Sequence, residues 1–207
     1  MKLIYLFLFL PLAIFAATPN YDVALKKLME GNERYITQTP ERAPDLEEKR
    51  EETFEKQTPF AIIVGCSDSR VAPEIIFDQT IGDLFVVRVA GNVIGPLELD
   101  SIEFSADKLE TPLVVILGHQ KCGAVSAVLS GVGGEDMESI IPYIQKSVDE
   151  TKGMSGDPLT NAIKANVVNG IKTLKKSRVI SALLKAKKLK IAGAYYELAT
   201  GKVEILE

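Results

Sequence analysis

Two cysteines and one histidine are the only thiol and imidazole side chains in this 207-residue sequence, and all three stand at the ends of two apolar runs. Ile62-Ile63-Val64-Gly65 stops at Cys66-Ser67-Asp68-Ser69-Arg70, and Leu113-Val114-Val115-Ile116-Leu117-Gly118 stops at His119-Gln120-Lys121-Cys122-Gly123. His119 and Cys122 are three apart at a strand-to-helix turn, a spacing that lets an imidazole and a thiolate face one point. Cys66 would approach from an adjacent strand. Three such ligands suit zinc and leave a fourth position for water or substrate. Two thiolates cancel the metal's charge, so this zinc would acidify its water less than one held by neutral imidazoles, and neighbouring residues have to help. Asp68 and Arg70 can. An ionised carboxylate only accepts hydrogen bonds, so Asp68 would take the hydrogen of a hydroxide in the fourth position, while Arg70 keeps Asp68 ionised. Two other readings use the same residues: a Cys66–Cys122 disulfide, and a closed structural zinc with Asp68 as permanent fourth ligand.

The elements that must position these groups follow from periodicity. Apolar runs at 60–65, 84–89, 113–118 and 189–195 read as buried strands, and 202–206, after the Thr200-Gly201 turn, as a fifth strand that hairpins back. Helical patterns lie between them, at 73–78, 100–109, 122–129, 137–151, 159–176 and after Ser177. Buried runs separated by helices imply an α/β fold: a mainly parallel central sheet of four strands plus an antiparallel fifth, flanked by helices. Ligands of such sheets collect at the carboxyl ends of strands where the winding reverses. Ahead of the sheet, 21–36 forms an N-terminal helical arm with Asp22 as its N-cap and Val23, Leu25, Leu28, Met29 and Ile36 as its apolar positions. That stripe has no obvious partner within one compact domain. Residues 40–58 read as a solvated linker or a mostly exposed helix over 45–56.

Length and composition bound the rest. The chain suffices for one domain with a real core. A net charge of −4 with no basic run gives no electrostatic support to nucleic-acid binding. Lys2 is followed by an uncharged apolar run to Ala17 that is short for a membrane span and ends in small residues. Residues 1–17 therefore read as a signal peptide, leaving a single domain over 18–207, a periplasmic or secreted location and no stable membrane insertion after cleavage. Gly131, Gly133 and Gly134 follow a helix rather than a strand, so they are no phosphate loop.

The motifs Cys66-Ser67-Asp68-Ser69-Arg70, Gly82-Asp83-Leu84-Phe85-Val86-Val87-Arg88, Ala90-Gly91-Asn92 and Gly118-His119 with Cys122-Gly123-Ala124 together resemble the β-class carbonic anhydrases. The resemblance runs from about Leu25 through Gly201. It implies zinc on Cys66, His119 and Cys122, Asp68 and Arg70 as the catalytic pair, and reversible hydration of carbon dioxide to bicarbonate and a proton. Gln57, in a Gln-x-Pro position, and Phe85 match the plant-like group, in which such residues reach a partner's zinc and, with Gly123, line the substrate pocket. A homodimer or dimer of dimers is implied, embraced by the N-terminal helices. Ile63 stands where the bicarbonate-inhibited bacterial group has tryptophan, so a non-catalytic bicarbonate site of that type is not expected. Phe104 replaces a tyrosine of the plant-like pocket, and Arg88 is open to a structural or a functional role. Hydrolysis of carbonyl sulfide or carbon disulfide on the same fold, and a catalytically silent zinc-binding protein, are the competing functions.

Overall fold

A strand covered on both faces needs apolar side chains at every position, because successive residues point to opposite sides. Two strands of this chain meet that condition up to their carboxyl ends. The computed structural model describes residues 21–41 and 46–206; the signal peptide expected at 1–17 lies outside them. In chain order the elements are α1 (Tyr21–Thr37), α2 (Leu46–Thr53), β1 (Ala61–Gly65), α3 (Pro73–Ile76), β2 (Leu84–Arg88), α4 (Pro96–Lys108), β3 (Leu113–His119), α5 (Gly123–Leu129), α6 (Ile141–Glu150), α7 (Pro158–Lys176), α8 (Arg178–Lys185), β4 (Lys190–Tyr196) and β5 (Val203–Leu206).

The strands form one sheet in the order β2-β1-β3-β4-β5, parallel except for the antiparallel β4–β5 pair. The expected strands agree with these within one residue at each end. Every residue of β1 and β3 is buried. Ala61 and Ile63 join one apolar cluster with Leu28 of α1 and Ile76 of α3. Ile62 and Val64 join another, with Ile102 of α4, Val167 and Leu174 of α7 and Ile180 of α8. The winding reverses at β1, which has β2 on one side and β3 on the other. The crevice for a ligand therefore opens at the carboxyl ends of β1 and β3. α7 lies close against β3 there, since a Cβ on Gly118 would stand 2.7 Å from Val167 Cγ2.

Three helical expectations need correction. α4 starts at Pro96 rather than near Asp100, because Pro96 suits a first turn and Glu98 Oε2 accepts from the Gly95 N–H at 2.9 Å. The helix expected over 137–151 begins only at Ile141: Pro142 has no N–H to donate and is tolerated only in a first turn. Asp22 lies inside α1 rather than capping it, and its Oδ1 accepts from Lys190 Nζ at 3.1 Å.

The stripe on α1 finds its partner in its own chain. Ala24, Leu28, Gly31 and Asn32 are buried, with Tyr21, Leu25, Met29 and Tyr35 packed around the same cluster, while Val23 points to solvent. Asn32 ties the helix down: its Nδ2 donates to Ile76 O at 3.2 Å and Gly201 O at 2.8 Å, and its Oδ1 accepts from Val203 N at 2.9 Å. An uncovered stripe on this helix is thus no argument for a dimer.

Candidate active site

Cys66 is the first residue beyond β1, and His119 is the last of β3. The paired strands run Val64 opposite Ile116, so two residues further on Cys66 and Gly118 come level, with His119 next. β3 then turns through Lys121, whose φ is +54°, and Cys122 takes the position just before α5. The ligand atoms of Cys66, His119 and Cys122 all lie within 4.8 Å of one another. All three residues are buried, and both cysteines are free, so the disulfide reading does not describe this chain.

The imidazole is set for a metal. Its Nδ1 lies 3.0 Å from Gln120 O; a carbonyl only accepts, so Nδ1 carries the proton and Nε2 presents a lone pair. His119 Nε2 is buried without a hydrogen-bond partner. An orphaned buried acceptor facing two thiols is costly unless a cation takes it. The donor set therefore fits a metal ion.

The two thiols differ. Cys66 Sγ accepts from the backbone N–H of Asp68 at 3.4 Å and of Gly91 at 3.3 Å. The Cys122 thiol beside it is the largest cause lowering the Cys66 pKa, and those two amides add to it against the opposing effect of burial. Cys122 is pushed far above the ordinary thiol range, first by sharing its proton with Cys66 and then by burial. Without a cation, then, ionising one thiol opposes ionising the other, and the two share a proton.

Asp68 and Arg70 form a fork at the rim. Arg70 Nε donates to Asp68 Oδ1 at 2.9 Å, Nη2 to Oδ2 at 2.6 Å, and the Arg70 backbone N–H to Oδ1 at 3.0 Å. These bonds, chiefly the side-chain ones, hold the Asp68 carboxyl well below the usual carboxylate range. Asp68 Oδ2 stands 3.9 Å from His119 Nε2, close to the cluster but not bonded to it. Arg70 Nη2 also reaches Lys121 O at 3.4 Å, linking the loops after β1 and β3.

Arg88, left open between two roles, proves to be a clamp on the Cys66 loop: its Nε donates to Cys66 O at 2.9 Å and its Nη2 to Asp68 O at 2.7 Å. A guanidinium ending a strand beside a site-bearing loop was the available signal. Gly123 opens α5 beside Cys122, and a Cβ there would meet nothing within 4 Å. Gln57 and Phe85 do not join the cluster within one chain. Gln57 is exposed. Phe85 pairs with Ile62, four residues upstream of Cys66 or about 13 Å along the strand, and packs with Leu99 on the core.

Comparison with known proteins agrees with this geometry. The carbonic anhydrase family model matches residues 61–203. A carbonic anhydrase of Mycolicibacterium smegmatis is 38% identical over 195 residues, covering 90% of this chain and 93% of that protein. Carbonic anhydrase 2 of Mycobacterium tuberculosis is 49% identical over 113 residues, 55% of each chain. Among solved structures, the β-carbonic anhydrase CafA of Aspergillus fumigatus superposes with a TM-score of 0.71 at 26% identity over 90% of both chains. One of two tetrameric β-carbonic anhydrases of Sordaria macrospora shares the fold, with a TM-score of 0.67 at 22% identity over 90% of this chain and 95% of that one. With the family model spanning most of the chain and both the fold and the Cys-His-Cys cluster in agreement, the chain belongs to the β class of the carbonic anhydrase family.

Proposed function

We propose that this protein hydrates carbon dioxide reversibly to bicarbonate and a proton, with zinc held by Cys66, His119 and Cys122. The observation that carries this is a buried imidazole Nε2 with no partner, within 4.8 Å of two free thiols and beside a carboxylate locked in a guanidinium fork. Zinc in that position supplies a water of lowered pKa as the nucleophile. Asp68, ionised and acceptor-only, orients the nucleophile by taking its hydrogen through Oδ2. Arg70 holds Asp68 to this task, because both its oxygens are engaged by the fork and neither is free to swing onto the metal. Arg88 fixes the loop that carries Cys66 and Asp68. The chain's only histidine is His119, and a ligating imidazole cannot also relay protons, so the product proton leaves through water, through a carboxylate or tyrosine near the mouth, or through buffer.

The same proposal includes a homodimer or dimer of dimers in which Gln57, Phe85 and Gly123 line a substrate pocket completed across the interface. Leu97 and Phe104, 77% and 50% exposed, are seven residues apart on one face of α4. β2 beside them is an edge strand whose Leu84, Phe85, Val86 and Val87 are only partly covered. A partner covering this region would bury both. Export with loss of residues 1–17, to the periplasm or beyond, completes the proposal and is tested by the mass of the protein recovered outside the cytoplasm. The activity is tested by Cys66→Ser, His119→Ala and Cys122→Ser, each of which loses zinc and CO2 hydration together; full zinc occupancy in any of them overturns the ligand set.

A further inference from the structure

α7 turns two asparagines into the protein. Asn166 and Asn169 are 5% and 7% exposed, and an amide so buried is costly unless its groups are bonded. They belong to a chain of bonds that starts at Glu150 and ends at the metal site. Asn169 Nδ2 donates to Glu150 Oε2 at 2.7 Å and lies 2.9 Å from Ser147 Oγ. Ser147 Oγ donates to Asn166 Oδ1 at 3.5 Å. Asn166 Nδ2 donates to Gly91 O at 2.8 Å, and the Gly91 N–H donates to Cys66 Sγ at 3.3 Å.

The backbone at Gly91 is one that only glycine adopts readily. Its φ is +71°, and a Cβ would stand 2.7 Å from Ile144 Cδ1 and 3.3 Å from Ala124 Cβ. The peptide between Gly91 and Asn92 is held at both polar groups, its carbonyl by Asn166 and its N–H by Val89 O at 2.9 Å. With that plane fixed, Gly91 has little freedom left, and its own N–H stays aimed at the sulfur.

We propose that Asn166 is a positioning residue for the metal centre: by pinning the Gly91 carbonyl it keeps the Gly91 N–H on Cys66 Sγ. The inference rests on the reading of Cys66 as a metal ligand. A hydrogen bond to a ligating thiolate draws electron density from sulfur and fixes the direction of its lone pairs, so outer partners of this kind govern how tightly a metal is kept. Asn166 touches neither metal nor substrate and acts only through Gly91.

The test uses the mature protein with cobalt in place of zinc, and the variant Asn166→Asp. Aspartate has the shape of asparagine and keeps an acceptor for Ser147, but it puts a carboxylate oxygen against the Gly91 carbonyl. The variant is expected to show its thiolate-to-cobalt charge-transfer band at longer wavelength, since the sulfur has lost its hydrogen bond, and to release metal to a chelator about tenfold faster. An unchanged band and release rate in a folded variant overturn the proposal, and lower stability with both unchanged identifies Asn166 as structural only. Should the variant not fold, the wild-type protein loaded with a spin-active cadmium isotope decides: a through-bond coupling between cadmium and the Gly91 amide proton is expected, and its absence overturns the proposal. Wild-type protein that shows no thiolate-to-cobalt band at all sinks the metal-centre reading instead.

Discussion

Asn32 tests whether α1 is part of the domain that carries the site or an arm that belongs to a neighbour. Its amide serves three backbone groups from two segments remote in sequence, Ile76 O, Gly201 O and Val203 N–H, and Asn32 is 2% exposed. In Asn32→Ala the Gly201 carbonyl, which is partly exposed, recovers a bond from water. The Ile76 carbonyl and the Val203 N–H are left buried without partners. Each such orphan costs about 1–3 kcal/mol, carbonyls less than N–H groups, so the loss is about 3 kcal/mol. For a domain of this size 1 kcal/mol moves the midpoint by roughly 2–4 °C, giving a fall of about 8 °C. Differential scanning calorimetry over a range of protein concentrations measures it. Asn32→Asp keeps an acceptor for Val203 but sets a buried carboxylate against two carbonyl oxygens, so it should fall at least as far as Asn32→Ala. A change below about 2 °C, or one that appears only on dilution, would show that α1 is held by a partner and not by its own sheet.

Removing Arg70 should act through pH. The depressed pKa of Asp68, due first to the Arg70 side chain, means that the stabilisation of the ionised pair is present above the ordinary carboxylate range and lost only as acid takes the group through its lowered value. Asp68 therefore stays charged in mild acid, and activity lost there arises elsewhere. Arg70→Ala frees the carboxylate, 3.9 Å from His119 Nε2, to compete for the fourth position. Activity should drop and its pH profile move upward; an unchanged rate and profile in stopped-flow assays would make the fork merely structural. Zinc affinity should rise with pH, because binding displaces the proton that the two thiols share. An affinity that stays flat between about pH 6 and pH 8 in a competition titration would contradict ligation by both cysteines. Phe104→Glu, placing a charge on the exposed face of α4, should yield a smaller species in sedimentation, and an unaltered assembly would locate the interface elsewhere.

The parts of the fold that were legible in the sequence are those where one pattern had one physical cause. β1 and β3 are apolar at nearly every position because helices cover both faces, and the chemistry-bearing residues begin where the apolar runs stop. The starts of α4 and α6 were missed because proline was weighed less than the apolar spacing beside it. The partner of α1 was hidden for a different reason. Its inner face is built on Ala24, Gly31 and Asn32, small or polar residues that add nothing to an apolar stripe, yet Gly31 is where the helix touches Phe77, and a Cβ there would fall 1.8 Å from Phe77 O. Similarly, Asn166 and Asn169 add nothing to the apolar pattern of α7, yet both are buried. Two amides one turn apart on an otherwise buried face were the signal of a polar network. Neither side chain names its partner in the sequence, because the partners are backbone groups and helices far along the chain.

CO2 hydration by this protein depends on a metal held by Cys66, His119 and Cys122. Stopped-flow hydration by the mature protein, measured as purified, after removal of metal with a chelator, and after return of zinc in equimolar amount, tests it most directly. Rapid hydration is expected, lost with the metal and recovered with zinc, and Cys66→Ser should show neither the loss nor the recovery. Hydration that survives removal of the metal, or zinc-loaded protein that does not accelerate hydration above the buffer rate, would contradict it.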